Sequence, residues 1–144
     1  VEQINIRKGQ KVLVHGGAGG IGTIAIQLAK HLGAYVATTA SQKDTDYVKG
    51  LGADEVIDYN NEKFEEKIKG YDAVFDTAGG EAYQKSFQVV KEGGIIVSMV
   101  EQPNKELMIK HKVTAKAQFT QPNAQVARIN NPNTIRYHAN TVKS

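Results

Sequence analysis

The chain has 144 residues, 40% of them hydrophobic and 23% charged, enough for one domain with a real core. It contains no cysteine, which excludes a disulfide framework, thiol chemistry and a thiolate metal site. Its net charge is +3 with no Lys/Arg run interleaved with aromatics, which argues against nucleic acid, and no apolar run approaches membrane-spanning length.

The first residues, Val1 to Lys8, lack the apolar region of a signal peptide, and a cytoplasmic location is expected. Val12-Leu13-Val14 reads as a strand buried on both faces, as in a parallel sheet. It feeds a glycine cluster that opens an amphipathic helix. Gly17, Gly19 and Gly22 fit the G-x-G-x-x-G spacing of a dinucleotide-binding turn. The first glycine is expected to permit the tight turn, the second to let backbone approach a pyrophosphate, the third to let the helix pack closely. The helix start then aims unpaired N–H groups and the positive dipole end at phosphate.

That helix runs from about Gly19 to Leu32, with Ile21, Ala25, Leu28, Ala29 and Leu32 at helical spacing and Gly33 as its C-terminal cap. Tyr35 to Thr39 is a second strand. Ser41 reads as an N-cap with Asp44 as its box partner, opening a short helix to about Leu51 that Gly50 and Gly52 close. Val56 and Ile57 form a third strand. Glu62 to Lys69 reads as a charged helix with Phe64 and Ile68 on its inner face, ended by Gly70. Ala73 to Phe75 is a fourth strand, and Glu81 to Val90 a helix carrying Tyr83, Phe87 and Val90. The Glu92-Gly93-Gly94 turn leads to a fifth strand, Ile95 to Met99, and a sixth covers Val113 to Phe119. Asn130 to Asn133 is a turn-rich break, so residues 1–129 read as the domain and 130–144 as an irregular tail or truncated element.

Strands alternating with helices imply an α/β fold, a doubly wound parallel (Rossmann) sheet of order 3-2-1-4-5-6, with the ligand crevice between strands 1 and 4. The end of strand 2 separates NAD from NADP. An NAD site places a carboxylate there for the ribose 2′-OH. This chain offers Thr39-Ala40-Ser41-Gln42-Lys43: a hydroxyl, open helix-start N–H groups and an ammonium, all suited to a 2′-phosphate. NADPH is therefore expected over NADH. Asp44, close by and acidic, counts the other way. Ser41 as a cap alone and Lys43 as a solvated side chain are the plain alternatives.

The remaining candidates carry less. His15 either touches a phosphate or is a hydrogen-bonded structural histidine. Asp58 and Asp76 either pair or each cap loop N–H groups. His111 and His138 have no metal-ligand spacing. Tyr47, Tyr71, Tyr83 and Tyr137 are followed four residues on by Leu51, Phe75, Phe87 and Thr141, so none of these four opens the Tyr-x-x-x-Lys pair of short-chain dehydrogenases. No catalytic residue is assigned, as suits hydride chemistry carried by a cofactor.

Val-His-Gly-Gly-Ala-Gly-Gly-Ile-Gly22, Gln27-Leu-Ala-Lys30, Leu32-Gly-Ala34, Leu51-Gly-Ala-Asp54, Val56-Ile-Asp-Tyr59 and Phe75-Asp-Thr-Ala-Gly-Gly80 follow one another in order. From about Gly9 to Pro122 the chain resembles the cofactor domain of the medium-chain dehydrogenase/reductase superfamily, in its zinc-free branch of NADPH:quinone oxidoreductases related to zeta-crystallin. The resemblance implies hydride transfer from NADPH to a quinone, enone or similar activated carbonyl. It matches Ala18, Gly19, Gly20 and Ile21 to the stretch facing the pyrophosphate. Lys43 and Tyr59 match the pair flanking the 2′-phosphate, with Thr39 and Ser41 as nearby polar positions. Ala78 and Gly79 match the loop bordering ribose and nicotinamide, and Met99 and Val100 the loop after strand 5. For Tyr59 an aromatic that merely closes strand 3 is the alternative.

The resemblance also implies a homodimer through the sixth strand, where Val113, Ala115, Ala117 and Phe119 alternate with polar residues, as suits an edge strand. In the family the catalytic domain flanks this one in sequence, so these residues are expected to supply one wall of the active site and to be inactive alone. Beyond Val126 the resemblance stops. A non-catalytic NADPH-binding sensor, or an enoyl-reductase-like module of a larger assembly, is the competing reading.

Overall fold

A computed structural model of the chain describes residues 6–117 and the backbone of 127–131 and 134–137. Strand β1 (Lys11–His15) is buried after its first residue, the condition of a central parallel strand covered on both faces. It pairs in parallel with β2 (Tyr35–Ala40), Val12 opposite Val36, and with β4 (Tyr71–Asp76), Val12 opposite Ala73. Strands β3 (Glu55–Asp58), β5 (Val90–Ser98) and β6 (Thr114–Ala117) complete a parallel six-stranded sheet of order β3-β2-β1-β4-β5-β6. This is the expected doubly wound order, and it reverses between β1 and β4.

Alternation along the strands divides the core into two layers. Val12, Val14 and Val36 point to one face, where they meet Ile26 and Ala29 of α1 (Gly20–His31) and Val48 of α2 (Thr45–Gly50). Leu13, Ala37 and Val74 point to the other. There they meet Phe64 of α3 (Phe64–Lys67), Tyr83 and Phe87 of and after α4 (Gly80–Ser86), and Leu107 and Met108 of α5 (Lys105–His111).

Four boundaries differ from the expectations. The helix over Glu62–Lys69 is a single turn, because Glu62 belongs to the turn after β3. Its carboxylate accepts the Asp58 amide at 3.0 Å, and Ile68 is already extended. Helix α4 stops at Ser86 rather than Val90. The Tyr71 amide donates to Val89 O at 2.8 Å and Val90 pairs with Tyr71, so sheet pairing overrides helical continuation. A 3₁₀ turn, Gln42–Asp44, precedes α2. Helix α5 has no counterpart among the expected elements. Asn104 caps it by accepting the Leu107 amide at 3.1 Å, and Lys112 ends it in the left-handed region.

Strand β6 is described to Ala117, and Gln118 and Phe119 lie outside the described residues. Where an irregular tail is expected from residue 130, β7 (Ala127–Asn131) and β8 (Thr134–Tyr137) pair antiparallel, Arg128 opposite Arg136. A boundary at 129 would divide β7. Turn-forming residues punctuate strands as readily as they mark coil. Among the described residues no helix is long and apolar enough to cross a membrane.

Candidate functional site

The reversal of strand order leaves β1 and β4 to exit the sheet toward opposite faces, and a cleft of about 470 Å³ opens at their C-terminal ends. Gly16, Ala18 and Gly19 line one part of it. Thr39, Ser41, Asp44 and Tyr59 line the side toward β2 and β3, and Thr77, Ala78 and Ala82 the side toward β4 and α4. A shallower groove adjoins it, lined by Ser41, Gln42, Lys43, Asp44, Tyr59 and Asn60.

Each glycine of the loop answers to a different constraint. Gly16 takes the positive φ of +73°, so the tight turn falls there and not at Gly17 as expected. At Gly17 a Cβ would overlap Thr38 Oγ1 and come within 2.8 Å of Ile26 Cδ1. At Gly22 it would overlap the Gly16 carbonyl, so α1 packs directly on the loop. Gly20 has open space around it.

The loop's amides fall into two sets. Those of Gly17 and Gly19 donate to Thr39 O at 3.1 Å and Gly16 O at 3.0 Å. Among the described residues, the amides of Ala18, Gly20, Ile21 and Gly22 have no protein acceptor. Gly19 is the N-cap of α1 and offers no side chain, and no acidic residue stands in the first turn. The amides of Ala18, Gly20 and Ile21 and the positive end of a 12-residue helix therefore remain open to an anion, while Gly22 is buried against the loop.

The β4 wall is fixed by side chains. The fully buried Asp76 carboxylate accepts the Ala78 and Gly79 amides, both at 3.0 Å, and the Ser98 hydroxyl at 2.8 Å. Thr77 Oγ1 donates to His15 O at 2.7 Å, tying the β4 loop to the end of β1. Asp58 likewise accepts the Asn60 amide at 3.0 Å. Two strands stand between β3 and β4, so Asp58 and Asp76 each cap a loop and do not form a pair.

His15 is 1% exposed and bonds through both ring nitrogens, Nδ1 to Thr39 Oγ1 at 3.2 Å and Nε2 to Ser86 Oγ at 2.8 Å. Burial pushes its pKa down to about 4, against the raising effect of the Asp76 charge. It is a hydrogen-bonded histidine on the cleft wall.

Of the residues singled out in the sequence, Ala18, Gly19, Thr39, Ser41, Tyr59 and Ala78 meet in the cleft, and Lys43 joins them in the groove. Gly20, Ile21 and Gly22 form the first turn of α1, while Gly17 is buried behind the loop. Gly79 is buried with φ +73°. Met99 is in the core, and Val100 is half exposed beside Gly79; neither lines the cleft. Phe64, Thr77 and Ala82 line it without having been singled out. Topology alone brings Phe64 and Ala82 here, whereas Thr77 sits within the Phe75–Gly80 run. Among the described residues no three His, Cys, Asp or Glu side chains gather as a metal site.

A profile of the zinc-binding dehydrogenase family matches residues 20–129. The chain is 45% identical over 93 residues to a chloroplastic NADPH-dependent alkenal/one oxidoreductase of Arabidopsis thaliana, covering 63% of the chain and 24% of that protein. Its fold matches a quinone oxidoreductase from Coxiella burnetii with a TM-score of 0.74 and 38% identity, over 81% of this chain and 38% of that one. It also matches a mycobacterial protein solved with NADPH, with a TM-score of 0.71 and 28% identity, over 78% and 39% of the two chains. The chain thus spans about a quarter of the length of the curated relatives it matches.

Proposed function

The chain belongs to the zinc-binding dehydrogenase family, within the zinc-free quinone-oxidoreductase branch of the medium-chain dehydrogenase/reductase superfamily, and we propose that it is the NADPH-binding part of a reductase. The substrate class is a quinone, enone or similarly activated carbonyl. The observation that carries this reading is the set of unpartnered amides at the start of α1, beside a glycine-lined cleft at the strand-order reversal.

The residues present fit such a cofactor. A diphosphate suits the open amides of Ala18, Gly20 and Ile21, where dipole and hydrogen bonding act together. Gly17 and Gly22 keep the loop close enough to the sheet to hold those amides in place. Ser41, Lys43 and Tyr59 border the groove at the far end of the cleft, the place for the adenosine 2′-phosphate, with Thr39 beside them. Ala78 and Gly79 border the ribose and nicotinamide, while Met99, in the core, and Val100 stand off the cleft. The nicotinamide supplies the hydride when bound; this chain orients it and excludes water along one wall. The wider assembly is a homodimer through the outer strand β6, and the protein acts in the cytoplasm on a small molecule.

Titration of the chain with NADPH and NADH, followed by cofactor fluorescence, tests the reading. NADPH is expected to bind at least about tenfold more tightly, since charge-assisted contacts to the extra phosphate are worth on the order of 1.5–3 kcal/mol. The Lys43→Ala variant is expected to lose most of that margin. Equal or tighter NADH binding refutes the assignment.

A further inference from the structure

We propose that His15 is a positioning residue for the diphosphate-binding loop, locked as its Nε2–H tautomer between Ser86 and Thr39 so that Thr39 anchors the loop's first amide. The proposal rests on the nucleotide reading above and states what holds the loop in its binding shape.

The tautomer follows from counting protons. The Ser86 hydroxyl has one, and it donates to Ala82 O at 2.7 Å. Toward His15, 2.8 Å away, Ser86 Oγ therefore accepts, and Nε2 carries the hydrogen. Nδ1 is then a bare lone pair and accepts from the Thr39 hydroxyl at 3.2 Å. With its proton committed, Thr39 Oγ1 is an acceptor for the Gly16 amide at 3.1 Å. The result is an unbroken chain, Gly16 N–H to Thr39 to His15 to Ser86 to Ala82 O, with every proton pointing the same way.

This chain does more than satisfy a buried ring. It runs from the glycine loop and β2, across the end of β1, to α4 beyond the cleft, and so joins the two walls. Thr39 takes the amides of both Gly16 and Gly17, one on its hydroxyl and one on its carbonyl. The loop amides that stay open follow directly after this anchored pair. A reversed Thr39 hydroxyl would offer a proton to the Gly16 amide and repel it. Phe64 packs edge-on against the ring, 4.5 Å between centroids, and closes it off from water. Asp76 is the carboxylate that acts on His15 from β4, and it is already engaged with the β4 loop amides and Ser98. The groove for the adenosine end is lined by different segments, the turn after β2 and Tyr59 after β3, and by neither His15 nor Thr39.

The ligands that separate a loop effect from general damage are NADPH and adenosine 2′-monophosphate, which carries the 2′-phosphate but no diphosphate. In His15→Ala the affinity for NADPH is expected to fall about tenfold, the loss of one buried hydrogen-bond anchor, with adenosine 2′-monophosphate unchanged. His15→Asn keeps an acceptor near the Nδ1 position and is expected to recover most of the loss. Should His15→Ala fail to fold, Ser86→Ala frees the tautomer from a site outside the loop and is expected to weaken NADPH about threefold with the same selectivity. NADPH affinity unchanged in these variants, or both ligands weakened together, overturns the proposal. Wild-type protein that binds neither ligand overturns the nucleotide reading itself.

Discussion

The Ser41 hydroxyl donates to Asp44 Oδ2 at 2.9 Å and caps no helix amide. The capping box read from the sequence is therefore a direct pair between its two side chains, and it stands where the deep cleft joins the groove that holds Lys43. The pair has a consequence for cofactor choice. A carboxylate at this corner opposes a dianionic 2′-phosphate and engages the hydroxyl that would otherwise donate to it. To a 2′-OH the same carboxylate is an acceptor. Asp44 thus works against Lys43. The Asp44→Asn variant is expected to raise the preference for NADPH over NADH about tenfold, roughly 1.4 kcal/mol of relieved repulsion and redirected hydrogen bonding. Dissociation constants for both reduced cofactors, in wild type and variant, check this. An unchanged ratio would mean that Asp44 serves only to hold the 3₁₀ turn.

At the scale of elements, the β1–loop–α1 unit is the part in which local sequence and observed structure agree most closely, and its glycines are separable by experiment. Gly22→Ala places a methyl into the Gly16 carbonyl and is expected to destabilise the protein by about 2 kcal/mol, a typical overpacking cost. Gly20→Ala, two residues earlier with open space around it, is expected to be neutral or to stabilise by up to ~1 kcal/mol through helix propensity. Urea unfolding of the two variants gives the comparison; equal stability would remove the packing role of Gly22. The same unit shows what a sequence pattern conveys. The spacing of Gly17, Gly19 and Gly22 announced the turn, yet the positive φ is at Gly16, because the motif says where side chains are forbidden and not which residue bends. Helix α5 went unread because its seven residues are too few for periodicity to emerge, with Ile109 exposed and none of its residues fully buried. Val89 and Val90 looked helical beside Phe87, and it is their pairing with Tyr71, far away in sequence, that makes them strand. The β2 side of the site was legible because a strand end and a helix start lie together in sequence there. The β4 side was legible only in part: the Phe75–Gly80 run pointed to Ala78 and Gly79, whereas Ala82 meets the glycine loop only through the crossover.

Across the whole molecule, the reversal of strand order sets the cleft between two halves of the sheet, and the buried hydrogen-bond chain through His15 spans them. That placement makes the stability of the entire fold sensitive to one proton. Burial holds the pKa of His15 down near 4, whereas an unfolded histidine titrates near 6.5. The unfolded chain therefore takes up the proton first as the pH falls. The contribution of neutral His15 is complete above about pH 6.5 and is lost progressively toward pH 4, reaching about 2–3 kcal/mol by pH 4.5. Carboxylates act in a lower window. Burial raises the pKa of Asp54 and Asp72, but their bonds to Lys30 and Lys91 outweigh it and hold both below the usual range, so their contribution is lost only below about pH 4. Urea midpoints measured at pH 7.5, 5.5 and 4.5 should therefore fall steadily for the wild type. His15→Asn should be less stable at pH 7.5, where it lacks the Ser86 bond, yet lose much less between pH 7.5 and 4.5, having no imidazole to protonate. Profiles that fall in parallel would mean that the acid sensitivity lies elsewhere and that His15 can accept its proton without disturbing the bonds between the two walls.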